Sequence, residues 1–432
     1  MIKKRFMPKF NSGLRNRIDK TTIYIFLYRF LPAIVAFSLT PFLLTYMGTS
    51  NFSLFAIANV LISLGNFLDF GIIQSKFPVF LNAYQIQNRS EATKVFRNIK
   101  TSLFRSSTIL TCVCLLSYIL ASHLHLFRIN FLFKFDIASL VILAVFIPMT
   151  PLINLVTQCY TSVGKKIYVL KINSMNLIAM NILITILVIF RLPFSLVIGC
   201  LVSPIILSFF QLLLFGKKYL ANEIYPKIEG AMKEVESGLN SFITQIYLLF
   251  VVYSDIFFVA SLEDSDLTSK YALISKIVLF FYSFYVWLTL ENWHTYIKEI
   301  NEKGIYVAWS KYFSFSSISN VKLYLWSLST CLPLMWILNM LSNRIISFNL
   351  LDSFVAVNWF LFLILQLEIV RFSNSYRYQF HLRNVFVLAV LLNFVFKFFF
   401  VETIKSEHSP ILATIITILV LAFSVNRKIK SI

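Results

Sequence analysis

The sequence predicts an all-α polytopic membrane protein of about twelve transmembrane helices, arranged as two six-helix bundles. Three observations lead to this prediction. The 432 residues are 58% hydrophobic and only 13% charged, with a mean hydropathy of +0.77, and a soluble protein of this length could not cover so much apolar surface. The apolar residues fall into long runs, each near the ~20 residues that cross ~30 Å of hydrocarbon. Short basic or polar connections join the runs.

The apolar runs give the predicted spans in chain order, which are 22–47, 52–74, 101–122, 136–161, 167–190, 193–215, 239–261, 267–292, 320–341, 349–371, 383–402 and 409–425. A longer polar connection in the middle separates the two sets of six. It divides the chain into five predicted segments, which are a basic cytoplasmic N-terminal segment at 1–21, a first bundle at 22–215, a cytoplasmic linker with an amphipathic helix at 216–238, a second bundle at 239–425 and a cytoplasmic tail at 426–432.

The basic residues predict the orientation. With both termini in the cytoplasm, and with charges at span ends counted with the adjoining connection, 30 of the 39 Lys and Arg residues lie on the inside and six on the outside, which is the asymmetry that sets topology. The remaining three, Arg29, Lys276 and Lys397, lie within predicted spans. The net charge of +20 therefore reflects topology signals and contacts with anionic lipid heads, and we expect no nucleic-acid partner.

The connections between the spans argue against an enzyme. Every predicted outside connection is short, the longest being about 14 residues around 122–135. The sequence contains no Gly-rich phosphate loop, no H-E-x-x-H, no G-x-S-x-G and no metal-spaced Cys/His cluster. All five cysteines lie inside predicted spans. We therefore expect no catalytic residues, no bound metal and no cofactor.

Buried charges are the main functional signal, because an ionisable side chain within a membrane span is costly and usually faces protein or water. By helical rise, Asp255 and Lys276 lie roughly 9 and 13 Å from the same face of the membrane, and Arg29 and Asp69 roughly 10 and 8 Å from the other. The depths predict one cation and carboxylate pair in each half. Such pairs either orient helices as salt bridges or open during a transport cycle. Lys397 is either a third cavity cation or a side chain that snorkels to the interface.

Polar stripes on four spans favour a hydrated central cavity. The alternative is hydrogen bonding that holds helices together, which is common between membrane helices. The candidate lining residues are Asn59, Asn66, Asn154, Asn173, Asn176, Gln245 and Tyr247.

Two stretches resemble Wzx-type O-antigen flippases. The first runs from Arg29 to Phe80 and contains the Leu-Asp-Phe-Gly signature at 68–71. The second opens the second half and carries a span-seven aspartate, Asp255, followed by a Tyr-x(4)-Lys pattern at Tyr271 and Lys276.

The chain departs from the family at one point. Where a Gly-rich turn commonly follows span seven, it has the acidic sequence Glu-Asp-Ser-Asp at 263–266. This difference concerns the outer gate that the resemblance implies.

The resemblance implies the fold of the multidrug/oligosaccharidyl-lipid/polysaccharide (MOP) exporter superfamily, with two six-helix bundles around a central cavity. It also implies translocation of an undecaprenyl-diphosphate-linked oligosaccharide, such as an O-antigen repeat unit, from the cytoplasmic to the periplasmic leaflet of a bacterial inner membrane. Arg29, Lys276 and Lys397 are then the candidates for binding the diphosphate. Asp69 and Asp255 would pair with these cations or bind a coupling ion, H⁺ or Na⁺. Membrane lipids and the polysaccharide polymerase machinery are the expected partners.

Three rival functions fit the sequence less well. The nearest is an H⁺- or Na⁺-coupled multidrug or cation antiporter of the same fold, which should favour unbalanced carboxylates in its cavity. A scaffold for envelope enzymes would not need buried charges in both halves. A membrane-embedded polymerase would need a large external loop, which the predicted topology does not provide.

Overall fold

The computed structural model of the chain describes residues 20–66, 68–69, 72–124, 134–220, 253–288, 345–374 and 379–430, with isolated positions at Tyr247, Val251, Ser329, Pro333, Trp336, Ile337 and Met340. Throughout these residues the regular structure is helical and contains no strand. The prediction of an all-α protein is confirmed.

The helices are numbered in chain order over the described residues. The first half contains α1 Lys20–Gly65, α2 Ile72–Gln85, α3 Arg89–Leu124, α4 Ile137–Phe146, a 3₁₀ turn at Ile147–Met149, α5 Pro151–Ser162, α6 Lys166–Ile189, α7 Phe194–Leu201 and α8 Ser203–Tyr219. The second half contains α9 Asp255–Ala260, α10 Ser265–Leu288, α11 Leu350–Asn374, α12 Gln379–Ile404 and α13 Ser409–Lys430.

Seven helical stretches of the described chain are long and apolar enough to cross a membrane, and they make the chain a multi-pass membrane protein. They are Leu27–Gly65, Ile137–Ser162, Lys166–Ile189, Phe194–Tyr219, Leu350–Val370, Asn384–Ile404 and Ser409–Lys428. Six of these stretches each correspond to one predicted span, and the stretch at Leu27–Gly65 contains most of the predicted span 22–47 and the first part of the predicted span 52–74.

Helix α1 bends at Gly48, between the first two predicted spans. Gly48 has φ 71° and ψ 169°, a backbone conformation that only glycine adopts without strain. Pro32 and Pro41 lie within α1 and do not interrupt it. The bend gives α1 two arms that leave Gly48 in different directions. We call the end of the molecule at which this bend lies the Gly48 end.

The second predicted span, 52–74, is wrong at its C-terminal end. Helix α1 stops at Gly65, and a turn follows in which the Leu68 amide donates to the Gly65 carbonyl. Asp69 lies in this turn, and the chain resumes as α2 at Ile72. Glycine followed by asparagine is a common helix stop, since both residues tolerate the conformations that end a helix. Asp69 is therefore not on a continuous helix with Asn59.

Proline divides two other predicted spans. The span at 136–161 breaks into α4, the 3₁₀ turn that contains Pro148, and α5, which begins at Pro151. The span at 193–215 breaks at Val202, two residues before Pro204. Proline has no amide hydrogen to donate and its ring clashes with the preceding turn, so it is accommodated near the start of a helix.

The buried apolar residues form three clusters. The shared core draws on both halves and includes Leu44, Phe52, Ile198, Ile274 and Trp359. The first-half core, around Phe80 and Phe215, and the second-half core, around Phe386 and Ile418, each contain residues of one half only. Within the described residues, the two halves are thus packed together at the Gly48 end and have separate cores away from it.

Several predictions lie outside the described residues. They concern the N-terminal segment up to residue 19, the amphipathic linker helix beyond residue 220, and Gln245. Most of the span at 320–341 is likewise outside. The division at 216–238 into two six-helix bundles stays a prediction.

Candidate functional site

The two halves meet along a seam formed by α1 and α10. The helices run antiparallel, because successively later residues of α10 contact successively earlier residues of α1. The Ser269 hydroxyl donates to the Thr49 carbonyl at 2.9 Å, and the Phe280 ring lies 6.2 Å from that of Phe37. Between these contacts lies Lys276, whose ammonium donates to the Thr40 hydroxyl at 2.9 Å.

Lys276 is enclosed by both arms of α1. One arm supplies Thr40, and the other supplies the rings of Phe52 and Phe55, whose centroids lie 5.5 and 5.8 Å from the ammonium. Aromatic faces attract a cation but do not neutralise its charge. The Thr40 hydroxyl in turn donates to the Ala36 carbonyl at 2.7 Å. In the part of the chain that the structure describes, no carboxylate pairs with Lys276, and its charge remains uncompensated.

The predicted pairing of Asp255 with Lys276 is wrong. Asp255 instead forms a salt bridge with Lys397, and both side chains are fully buried. The similar membrane depths of Asp255 and Lys276 allowed a contact between them. Depth does not determine how each helix is rotated about its axis. Lys276 points out of the second half toward α1, whereas Asp255 points inward toward α12 and α13. Lys397 therefore neither faces a cavity nor snorkels to the interface.

Further oxygen atoms surround the Asp255–Lys397 pair. The Lys397 ammonium also donates to the Ser254 hydroxyl at 2.8 Å and to the Val251 carbonyl at 3.4 Å. The Thr414 hydroxyl lies 3.1 Å from Asp255 Oδ1. These contacts come from α9 and the residues just before it, from α12 and from α13. They make the pair the central polar contact inside the second half.

Arg29 and Asp69 do not form the predicted pair. Asp69 is buried in the turn after α1, and it has an interaction partner other than Arg29. Arg29 is exposed. It lies seven and eleven residues before Ala36 and Thr40, a spacing that places all three on one face of α1. The exposed apolar residues of α1 follow the opposite face, at Leu27, Leu31 and Ile34. Arg29 thus extends the face that carries the contact with Lys276.

The predicted lining residues separate into several environments. The Asn59 amide donates to the Phe55 carbonyl of its own helix at 3.1 Å. Asn154 is exposed, Asn173 is half-buried, and Asn66 and Asn176 each have one buried side-chain atom without a hydrogen-bond partner in the described structure. Tyr247 is fully buried against Phe386 in the second-half core, so its prediction as a cavity residue is wrong.

Sequence reasoning missed a polar cluster at the Gly48 end. Lys270 lies 3.0 Å from Asp352 and 2.8 Å from Glu407, and His408 lies 3.0 Å from Asp352. Asp352 is fully buried. The one local signal is its reciprocal capping with Asn349 at the start of α11. The other partners come from distant parts of the sequence.

The cluster has ligand types and spacing that suit a metal ion. Asp352, Glu407 and His408 each offer one ligand atom, and these atoms lie within 4.8 Å of one another. Lys270 already compensates both carboxylates. Burial alone would raise the pKa of Glu407, but the hydrogen bond and charge of Lys270 outweigh it and hold that pKa below its ordinary value. The cluster is thus a charged tie between α10, α11 and the connection before α13.

Comparisons with known proteins establish the fold. No family model matches the chain, and no curated protein matches it. Among solved structures, it is similar to the lipid II flippase MurJ in an inward closed conformation, with a TM-score of 0.61, 17% identity, and coverage of 93% of this chain and 87% of that chain. It is equally similar to an inward-facing multidrug resistance MATE family transporter of the MOP superfamily, with a TM-score of 0.61, 12% identity, and coverage of 94% and 95%. The chain therefore has the fold of these transporters.

Proposed function

We propose that the chain is a flippase that moves an undecaprenyl-diphosphate-linked oligosaccharide, such as an O-antigen repeat unit, across a bacterial inner membrane from the cytoplasmic to the periplasmic leaflet. Such a substrate needs a protein because its diphosphate and hydroxyl groups cannot cross hydrocarbon unaided. The beginning of each half of the chain resembles Wzx-type flippases, and this resemblance supports the substrate class. The fold supports a role in transport.

The observation that carries the proposal is the state of Lys276. A lysine inside a membrane span is costly unless an anion compensates it, and in the described structure Lys276 has a hydroxyl and two aromatic rings but no carboxylate. It also lies at the seam, where separation of the halves would uncover it. An anionic group of the substrate is the partner that this position lacks, and a diphosphate provides it.

Arg29 is proposed as the second diphosphate ligand. It continues the face of α1 that holds Thr40. It is exposed and lies next to Phe30, whose ring contacts that of Phe280 on α10. By helical rise the two positions, Arg29 and Thr40, are about 16 Å apart along α1. We propose that the diphosphate meets Arg29 first and Lys276 deeper in the seam. Lys397 is no longer a candidate, because Asp255 already neutralises it.

The conformation fits one step of alternating access. The positive-inside asymmetry predicts that the Gly48 end faces the periplasm. The shared core and the polar contacts of the seam close that end, and the separate cores away from it leave room for the halves to part on the cytoplasmic side. We infer an inward-facing or inward-closed state. A coupling ion, H⁺ or Na⁺, stays part of the proposal, with Asp69 as its candidate carboxylate.

A multidrug or cation antiporter of the same fold is the alternative. A cationic drug would be attracted by an uncompensated carboxylate at the seam, whereas the described seam presents an uncompensated ammonium. This difference in charge sign favours an anionic substrate.

The proposal is tested in a host whose surface glycan depends on this chain. We expect Lys276→Ala and Arg29→Ala each to abolish the glycan, because a charge-assisted contact to phosphate is lost, while protein levels in the membrane stay normal. Lys276→Arg should retain part of the function. The readouts are surface glycan by gel and chain abundance by immunoblot.

Two exposed basic residues serve as matched controls. Lys171→Ala and Arg89→Ala remove the same charges from exposed positions outside the seam, and we expect a normal glycan in both. A normal glycan in both seam variants would contradict the proposal. Loss of resistance to cationic drugs with an unchanged glycan would instead support the antiporter.

A further inference from the structure

The surroundings of the Lys397 ammonium are those of a metal cation site. Its contacts include oxygen atoms of three kinds: the Asp255 carboxylate, the Ser254 hydroxyl at 2.8 Å and the Val251 carbonyl at 3.4 Å. Carboxylate, hydroxyl and carbonyl oxygens are the ligands that hard cations take in proteins. The Phe258 ring lies 5.9 Å from the ammonium. We call these groups, with Thr414, the oxygen cage.

The helix is irregular where it supplies the cage. Val251 and Tyr253 have π-helical backbone conformation, Ser254 forms a bend, and a regular helix begins only at Asp255. The Val251 carbonyl accepts hydrogen bonds from side chains, namely Lys397 and Thr414. Irregular helical backbone within a membrane is tolerated where its freed carbonyls have other partners, and transporters use such carbonyls to coordinate Na⁺ or H⁺.

The cage is well supported. The Thr414 hydroxyl lies 3.1 Å from Asp255 Oδ1 and 3.2 Å from the Val251 carbonyl. The Tyr271 side chain also lies near the Asp255 carboxylate. One turn before Lys397 on α12, the Asn393 amide bonds to the hydroxyl of Thr417 at 3.2 Å. Asp255 and Lys397 are both fully buried, so each charge depends on the other for its compensation.

We propose that Lys397 is a tethered cation that permanently occupies a latent alkali-cation site in the second half. Its ammonium supplies the single positive charge that the cage requires, so the second half binds no Na⁺ through Asp255 in the unaltered chain. A shorter neutral side chain at position 397 would vacate the cage and leave a site for a monovalent cation such as Na⁺. This inference goes beyond the proposed function, and it holds whichever substrate the seam binds.

The test measures thermal stability of the purified full chain in detergent, in sodium chloride and in choline chloride of equal concentration. Any sodium response of the unaltered chain should not depend on Asp255, and Asp255→Asn should leave it unchanged. Lys397→Asn, which keeps an oxygen ligand but removes the charge, should melt lower in choline and gain about 3 °C or more in sodium, through saturable binding of Na⁺ to the folded state.

Three control variants isolate the cage. Lys397→Met fills the space without an oxygen ligand and should be destabilised equally in both salts. Lys397→Asn combined with Asp255→Asn should lose the sodium response, because the carboxylate is gone. Lys276→Asn removes a lysine that has no carboxylate partner in the described structure, and it should show no sodium response.

Two results would overturn the inference. The first is a saturable, sodium-specific stabilisation of the unaltered chain that Asp255→Asn abolishes, which would mean that an ion binds at Asp255 with Lys397 in place. The second is a folded Lys397→Asn variant with equal melting temperatures in the two salts. If Lys397→Asn does not fold, Lys397→Gln is used in its place. If neither variant folds in sodium chloride although Lys397→Met does fold, the inference is also contradicted. Surface glycan is not the readout, so this test is independent of that for the seam.

Discussion

At the scale of single residues, the described lysines of the membrane region differ in how their charges are compensated. Lys397 has a carboxylate partner inside the second half, and Lys270 has two at the Gly48 end. Removing one partner of a buried pair leaves the other charge uncompensated, which costs about 3–5 kcal/mol. Lys276 lacks such a partner in the described residues, and this difference separates a binding candidate from two structural contacts.

The Glu407 contact with Lys270 predicts a pH-dependent stability. Because the pKa of Glu407 is held below its ordinary value of 4.5, the unfolded chain binds more protons at this group than the folded chain between the two values. Its stabilisation is therefore fully present above the ordinary value and is lost as the pH falls through the lowered one. Glu407→Gln should lower the melting temperature by roughly 2 °C or more at about pH 7, and by progressively less toward about pH 4.

The control must separate the effect of Glu407 from that of the charged groups around it. Lys270, Asp352 and His408 also face Glu407, so the difference between Glu407→Gln and the unaltered chain is compared at each pH. Asp266→Asn removes an exposed carboxylate of α10 and should give a smaller difference. A difference for Glu407→Gln that grows on acidification would contradict the assignment.

The sequence was sufficient to select the buried charges but not their partners. Asp255, Lys276 and Lys397 stand out because ionisable residues are rare in apolar runs. Which of them meet depends on the rotation and packing of helices that are distant in the chain, and periodicity does not report these. The Lys270 cluster was missed for the same reason, since its carboxylates come from α11 and from the connection before α13.

At the scale of elements, the bend of α1 at Gly48 shapes the candidate site. It places Thr40 on one side of Lys276 and Phe52 and Phe55 on the other. The apolar runs predicted where helices occur, because a run of about 20 apolar residues reports burial in lipid. They could not show the backbone conformation at Gly48 or that α1 ends at Gly65, because such details depend on local backbone conformation.

Replacing Gly48 with alanine tests the bend. Its φ of 71° and ψ of 169° strain any residue with a Cβ, so Gly48→Ala should destabilise the chain by about 1–3 kcal/mol and reduce surface glycan. Crowding is not the cause, because a Cβ at this position would have no atom within 4 Å. Melting temperature and glycan are both measured.

Gly199 provides the matched control, since a Cβ there also has no neighbour within 4 Å and the residue lies within the regular helix α7. Gly199→Ala should be neutral or stabilising, because alanine has the higher helix propensity. Equal effects of the two substitutions would contradict a special role for the bend.

At the scale of the whole molecule, the shared core and the seam hold the halves together at the Gly48 end. The fold class was predicted from composition and the spacing of apolar runs, and the structural similarity to MurJ and to a MATE family transporter shows that the fold is shared. The conformational state could not be predicted, because the same apolar pattern serves every state of an alternating-access cycle.

A reversible crosslink tests whether the Gly48 end must open. The hydroxyls of Thr49 and Ser265 lie 3.5 Å apart across the seam, so a double variant with cysteines at both positions should form a disulfide. Oxidised cells should lose surface glycan because the halves can no longer separate there, and a reductant should restore it. The single variants Thr49→Cys and Ser265→Cys serve as controls. Normal glycan with a complete crosslink would contradict alternating access.

The most direct test of the central claim measures binding of undecaprenyl diphosphate to the purified chain. We predict that Lys276→Ala weakens the affinity about tenfold or more, since a charge-assisted contact contributes roughly 1.5–3 kcal/mol, and that Lys171→Ala binds like the unaltered chain. Equal affinities for Lys276→Ala and the unaltered chain would contradict the claim that this lysine binds the diphosphate.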